Sequence, residues 1–102
     1  MLNAGTAALN VAVGHQAGTA MTTGTENVLI GGIAGDALTT GSNNVAIGYK
    51  ALSTEDDGHG AIAIGSFALE DQDGGNTYNV AIGFSAGAEV TTGVENTLIG
   101  GF

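Results

Sequence analysis

Short apolar runs closed by glycine return along this chain at a nearly constant spacing. Asn10-Val11-Ala12-Val13-Gly14, Asn27-Val28-Leu29-Ile30-Gly31, Asn44-Val45-Ala46-Ile47-Gly48, Ala61-Ile62-Ala63-Ile64-Gly65, Asn79-Val80-Ala81-Ile82-Gly83 and Asn96-Thr97-Leu98-Ile99-Gly100 are versions of one phrase. Their closing glycines stand 17 residues apart, except for one step of 18 between Gly65 and Gly83. A fixed short period marks a stack of equal small units, each of which buries its apolar surface only against its neighbours.

Within each phrase, β-branched residues alternate with a third apolar column, the pattern of a short strand between turn residues. The flanking columns hold Val11, Val28, Val45, Ile62, Val80 and Thr97, then Val13, Ile30, Ile47, Ile64, Ile82 and Ile99. The column between them is Ala12, Leu29, Ala46, Ala63, Ala81 and Leu98, and it is never polar. Successive side chains point to opposite faces of a strand, so both faces are apolar and both ask for cover. The branched aliphatics Val11, Val13, Val28, Ile30, Val45, Ile47, Ile62, Ile64, Val80, Ile82 and Ile99 are predicted to fill the interior of each coil. The Ala/Leu column is predicted to meet copies of itself around a symmetry axis, since small side chains let neighbouring strands approach closely.

Between the phrases lie Thr22-Thr23-Gly24, Thr39-Thr40-Gly41, Asp56-Asp57-Gly58, Asp73-Gly74-Gly75 and Thr91-Thr92-Gly93, which read as a second corner of the coil. Seventeen residues then suit two short strands and two turns. Stacked Asn10, Asn27, Asn44, Asn79 and Asn96 are placed to bond along the stack as an asparagine ladder. At about 4.8 Å per coil, six coils give a rod of roughly 29 Å. The resulting expectation is an all-β, parallel β-solenoid forming a single domain over 1–102.

Composition narrows the function. The chain has 102 residues with 19 Gly, no Pro, no Cys and a net charge of −9, Lys50 being its one cation among Lys and Arg. Phosphate backbones and anionic bilayers are bound through clustered Lys and Arg, so neither nucleic acid nor membrane is an expected partner. No apolar run approaches the ~20 residues of a membrane span, and the start has no signal-peptide pattern. A longer echo is also present: residues 80–101 repeat residues 11–32. This suggests a piece of a longer fibre or a unit that stacks end to end.

The phrases Asn44-Val45-Ala46-Ile47-Gly48-Tyr49-Lys50-Ala51-Leu52 and Asn79-Val80-Ala81-Ile82-Gly83-Phe84-Ser85-Ala86-Gly87 resemble the head repeats of trimeric autotransporter adhesins. They resemble more closely the repeats of phage tail-fibre and related viral proteins, where such a phrase alternates with a Thr-Thr-Gly corner. The resemblance covers nearly the whole chain from Asn10 onward. It implies a left-handed parallel β-roll, a homotrimer, and an extended spacer or receptor-binding shaft on a virion or cell surface. A host-surface glycan or protein receptor is the implied external partner. Two departures stand out: Gly60-Ala61 where the others carry Asn, and Leu29 and Leu98 in the small column, where the trimer interior is expected to be wider.

Catalysis has little to work with. His15 and His59 have no paired nucleophile and no metal-ligand spacing, so no catalytic residue and no cofactor are assigned. The acidic residues Asp56, Asp57 and Asp73, with Glu55, Glu70 and Asp71 nearby, are the one place where a hard cation such as Ca²⁺ fits the chemistry. They lack the glycine-aspartate nonapeptide of calcium-binding rolls. A rival reading is an ice-binding solenoid with stacked rows Thr22/Thr39 and Thr23/Thr40, rows that Asp56-Asp57 and Asp73-Gly74 interrupt. The aromatics Tyr49, Phe67, Tyr78, Phe84 and Phe102 are expected between subunits, or stacked on sugars of a host glycan.

Overall fold

The computed structural model describes residues 9–101. Six strands, β1 (Val11–Val13), β2 (Val28–Ile30), β3 (Val45–Ile47), β4 (Ile62–Ile64), β5 (Val80–Ile82) and β6 (Thr97–Ile99), pair in parallel in chain order. Equivalent residues face each other at every step: Ala12 meets Leu29, Leu29 meets Ala46, Ala46 meets Ala63, Ala63 meets Ala81 and Ala81 meets Leu98. The longer step therefore leaves the register intact, and its extra residue is absorbed in the loop. The chain is a parallel β-solenoid measuring 34 × 23 × 16 Å.

Each coil holds one strand of three residues, where the sequence suggested two. The rest of the coil is turns and bends, yet its backbone still bonds along the axis. Gly18 N–H donates to Ala34 O (3.1 Å), Gly35 N–H to Ala51 O (2.9 Å), Leu52 N–H to Ala68 O (3.0 Å) and Leu69 N–H to Ala86 O (3.0 Å). Turning so sharply takes left-handed backbone. The closing glycines Gly14, Gly31, Gly48, Gly65, Gly83 and Gly100 have φ of 120–135°, a region that side chains rarely enter. Two residues later Gln16, Ile33, Lys50, Phe67 and Ser85 follow at φ of 57–63°. The second-corner glycines Gly24, Gly41 and Gly58 have ordinary φ and are needed for room instead. A Cβ on any of them would collide with the glycine carbonyl oxygen of the next coil.

The facing of the strand is the reverse of the one predicted. Ala12, Leu29, Ala46, Ala63 and Ala81 are buried inside the roll, with Leu98 packed against them, so this column is no subunit surface. Val11, Val13, Val28, Ile30, Val45, Ile47, Ile62, Ile64, Val80, Ile82 and Ile99 point outward and are exposed or half-buried. The physical reason is volume. The roll interior already contains the alanine column Ala17, Ala34, Ala51, Ala68 and Ala86, and two further branched columns would overfill it.

The two departures in the small column are explained by the same packing. Where the strand offers Ala46 and Ala63, Leu52 and Leu69 reach in from the far wall; where it offers Leu29, that wall carries Gly18 and Gly35. A Cβ on Gly35 would lie 2.7 Å from Leu29 Cδ2, and one on Gly87 would lie 2.7 Å from Leu98 Cδ1. Large thus faces small at each of these levels, and Leu29 and Leu98 fill the roll rather than widen an axis between chains. Leu52 and Leu69 adopt φ of 55° and 50° to do so, a strain that their complete burial offsets.

Candidate functional site

Three features of this scaffold carry chemistry: an internal polar ladder, an acidic corner, and the outward apolar face. The ladder is the asparagine column expected from the sequence, and its bonding is mostly to backbone. Asn27 Oδ1 accepts Asn44 N–H (3.0 Å) and Asn44 Oδ1 accepts Ala61 N–H (2.8 Å). Their amide nitrogens donate to Gly41 O (2.9 Å) and Gly58 O (2.8 Å). A direct amide-to-amide bond joins Asn27 Nδ2 to Asn10 Oδ1 (3.0 Å). Asn10, Asn27, Asn44 and Asn79 so fasten their coils to the next and tie the strand edge to the second corner. Ala61 cannot make these bonds, which leaves one rung missing.

The acidic corner sits at that same level. One interior column runs Met21, Leu38, Glu55, Gln72 and Val90, so a carboxylate occupies a place that apolar side chains hold elsewhere. Glu55 is fully buried, and its carboxylate accepts Gln72 Nε2 (3.1 Å), Gly74 N–H (3.3 Å) and Gly75 N–H (3.4 Å). Gln72 Oε1 in turn accepts Asn79 Nδ2 (2.8 Å). Gly74 and Gly75 belong to the longer coil, and Glu55 accepts the two amides that its detour turns inward. Burial pushes the Glu55 carboxyl above its ordinary range, the Gln72, Gly74 and Gly75 bonds pull it back, and Asp73 raises it further. Thr77 is buried beside this region, and its Oγ1 finds no hydrogen-bond partner.

Of the three residues proposed for a cation, the structure brings two together. Asp56 and Asp73 can place carboxylate oxygens within 4.8 Å of each other and of Glu55. Asp57 lies apart, lining a shallow groove with Thr40, His59, Gly75 and Asn76. Glu55, the third member of the geometric group, already accepts three donors. Asp56 and Asp73 are exposed, the ordinary condition of a solvated acidic edge.

His15 is exposed, whereas His59 belongs to a second ladder. Thr25 N–H donates to Ser42 Oγ (2.9 Å), Ser42 N–H to His59 Nδ1 (2.8 Å) and His59 N–H to Asn76 Oδ1 (3.1 Å). The threonines are also tied between coils: Thr22 Oγ1 donates to Thr39 O (3.1 Å), and Thr39 Oγ1 to Asp56 O (3.0 Å). They stand at bends rather than on a strand face.

The outward face of the sheet is apolar. Its two β-branched rows run the length of the sheet, from Val11 and Val13, at 39% and 49% exposure, to Ile99 at 74%. Beyond the closing glycines, Tyr49, Phe67 and Phe84 form an aromatic rib. Phe67 meets Tyr49 edge-to-face at 5.6 Å and Phe84 at 5.8 Å. The Lys50 ammonium lies 5.7 Å from the Tyr49 ring. Phe102 lies outside the described residues. Among those described, no helix is long and apolar enough to cross a membrane. No protein-family model, curated protein or solved structure matches this chain.

Proposed function

We propose that this protein is a structural, non-enzymatic segment of a fibre. In this reading it is a stiff β-solenoid spacer that trimerises through its outward Val/Ile face and holds a receptor-binding element away from its anchor. The observation that carries the reading is that face: two β-branched rows, aliphatic at every rung but Thr97, on the side of the sheet that the chain itself leaves uncovered. Monomeric proteins seldom leave a contiguous apolar stripe of this length open to water. A copy of the same stripe is its natural cover, because identical coil heights match identical side chains around a common axis.

The resemblance of the repeats to viral tail fibres and trimeric adhesin heads supports three chains, a left-handed roll and a place on a virion or cell surface. A glycan or protein on the host surface is the external partner that such a shaft would serve. The ice-binding reading is weaker, since Thr22 and Thr39 spend their hydroxyl donors on neighbouring coils and the rows end at Asp56.

The test is Ile64→Glu, which places a carboxylate in the middle of the outward face. The expected result is loss of the oligomer with the β-rich circular dichroism retained. An oligomer of unchanged size would overturn the assignment of the face.

A further inference from the structure

The strand face is too narrow to hold three chains together by itself. Three residues at about 3.3 Å each, over six rungs spaced by about 4.8 Å, project roughly 300 Å². A specific interface takes nearer ~800 Å² from each partner. The flanks of the strand must supply the rest, and resting on the trimeric reading above, their chemistry shows how.

In a ring of parallel solenoids with strand faces turned inward, every strand runs around the ring. The edge that follows the strand in one chain then meets the edge that precedes it in the next chain, height for height. The following edge carries Tyr49 at β3, Phe67 at β4 and Phe84 at β5. The preceding edge is the column Leu9, Glu26, Asn43, Gly60, Tyr78 and Glu95, held in one backbone conformation with φ of 56–78°.

Its charges fall only where the aromatics are absent. Glu26 precedes β2 and Glu95 precedes β6, while Asn43, Gly60 and Tyr78 precede the three strands that the aromatics follow. Tyr78 is 54% exposed and leans back over Gly60, where an added Cβ would come within 2.7 Å of Tyr78 Cδ1. Its ring thereby covers the heights of both β4 and β5. We infer that the rib Tyr49/Phe67/Phe84 of one chain packs against the Asn43/Gly60/Tyr78 edge of the next chain in the ring, with Phe67 and Phe84 meeting Tyr78. Aromatic pairs supply large contact area together with a preferred geometry, which fixes the axial register of the chains.

The chain has no cysteine, so a disulfide can be written into it cleanly. Phe84→Cys combined with Tyr78→Cys puts thiols at opposite ends of β5. Within one chain these are separated by far more than the ~7 Å that a disulfide can bridge. Mild oxidation is expected to give a covalent ladder ending at three chains, whereas Phe84→Cys with Leu9→Cys, four rungs out of step, gives none. Failure of the first pair to link in protein that still sediments as a trimer overturns the flank assignment alone, as does equal linking by the mismatched pair. Wild-type protein that sediments as a monomer overturns the trimeric reading itself.

Discussion

Coils built on β2 and β3 and coils built on β4 and β5 share a backbone path but hold it differently. In the first pair, Met21 and Leu38 fill the interior column, and Asn27 and Asn44 clamp each coil to its successor. In the second pair the column turns polar at Glu55 and Gln72, the asparagine at 61 becomes alanine, and one residue is added. The strand register nevertheless passes through undisturbed, Ile62 facing Val80 and Ile64 facing Ile82. A solenoid thus tolerates a local irregularity when new polar groups satisfy one another. The Glu55–Gln72–Asn79 chain supplies that satisfaction here, while the Thr77 hydroxyl is left over.

The largest effect is expected where the two halves are alike. Ala63→Glu inserts a carboxylate into the filled interior facing Leu69, and burying an unpaired charge costs several kcal/mol. The variant is expected to lose its β-rich circular dichroism altogether, unlike Ile64→Glu one residue further on. A folded Ala63→Glu variant would mean that the small column is accessible after all.

Next in size is the ladder. Asn44→Ala removes the acceptor of Ala61 N–H and the donor to Gly58 O, and two buried groups left unpaired cost about 2–4 kcal/mol. Chemical denaturation is the measurement, and a loss below ~1 kcal/mol would show that water replaces the clamp. Together these variants sharpen the contrast, because Ala61 shows what the roll looks like with that rung already gone.

The smallest effect concerns Glu55. Its folded-state pKa lies above the ordinary carboxylate value, so the folded protein takes up a proton more readily than the unfolded chain. The ionised side chain therefore weighs against folding above the raised pKa, and this penalty disappears as pH falls below the unfolded value. Glu55→Gln has no such titration. Wild type is expected to gain thermal stability relative to Glu55→Gln as pH drops from about 7 toward about 4. A stability difference that stays constant over this span would contradict the assignment of burial as the dominant cause.

Much of the fold was legible in the repeat. The closing glycines located every strand, and equal spacing implied parallel, in-register stacking, which the pairing of β1 through β6 shows. Which face of the strand turns inward was not legible from the strand, because Val-Ala-Ile is apolar on both sides. The deciding information lay elsewhere in the coil. Leu52 and Leu69 accompany Ala46 and Ala63, while Gly18, Gly35 and Gly87 accompany Leu29 and Leu98. This size match runs partly between neighbouring coils, since Gly18 and Gly87 share their own coils with Ala12 and Ala81, and it shows the Ala/Leu column to be inside only once the coils are stacked. The second strand of each coil failed to form because its segment closes through left-handed residues such as Gln16, Ile33 and Lys50.

The acidic corner was legible as a cluster but not as a structure. Asp56 and Asp73 do approach each other, yet the residue that organises the corner is Glu55. Its column mates Met21 and Leu38 identify it as interior, and the extra residue near Gly75 supplies the amides that hold it. The local run Glu55-Asp56-Asp57 groups it instead with its exposed neighbours.

Sedimentation equilibrium of the wild-type chain across micromolar concentrations tests the central claim most directly. Three chains of 9.9 kDa moving as one particle is the expected result. A single 9.9 kDa species that is folded, soluble and stable with its Val/Ile face open to water would contradict it.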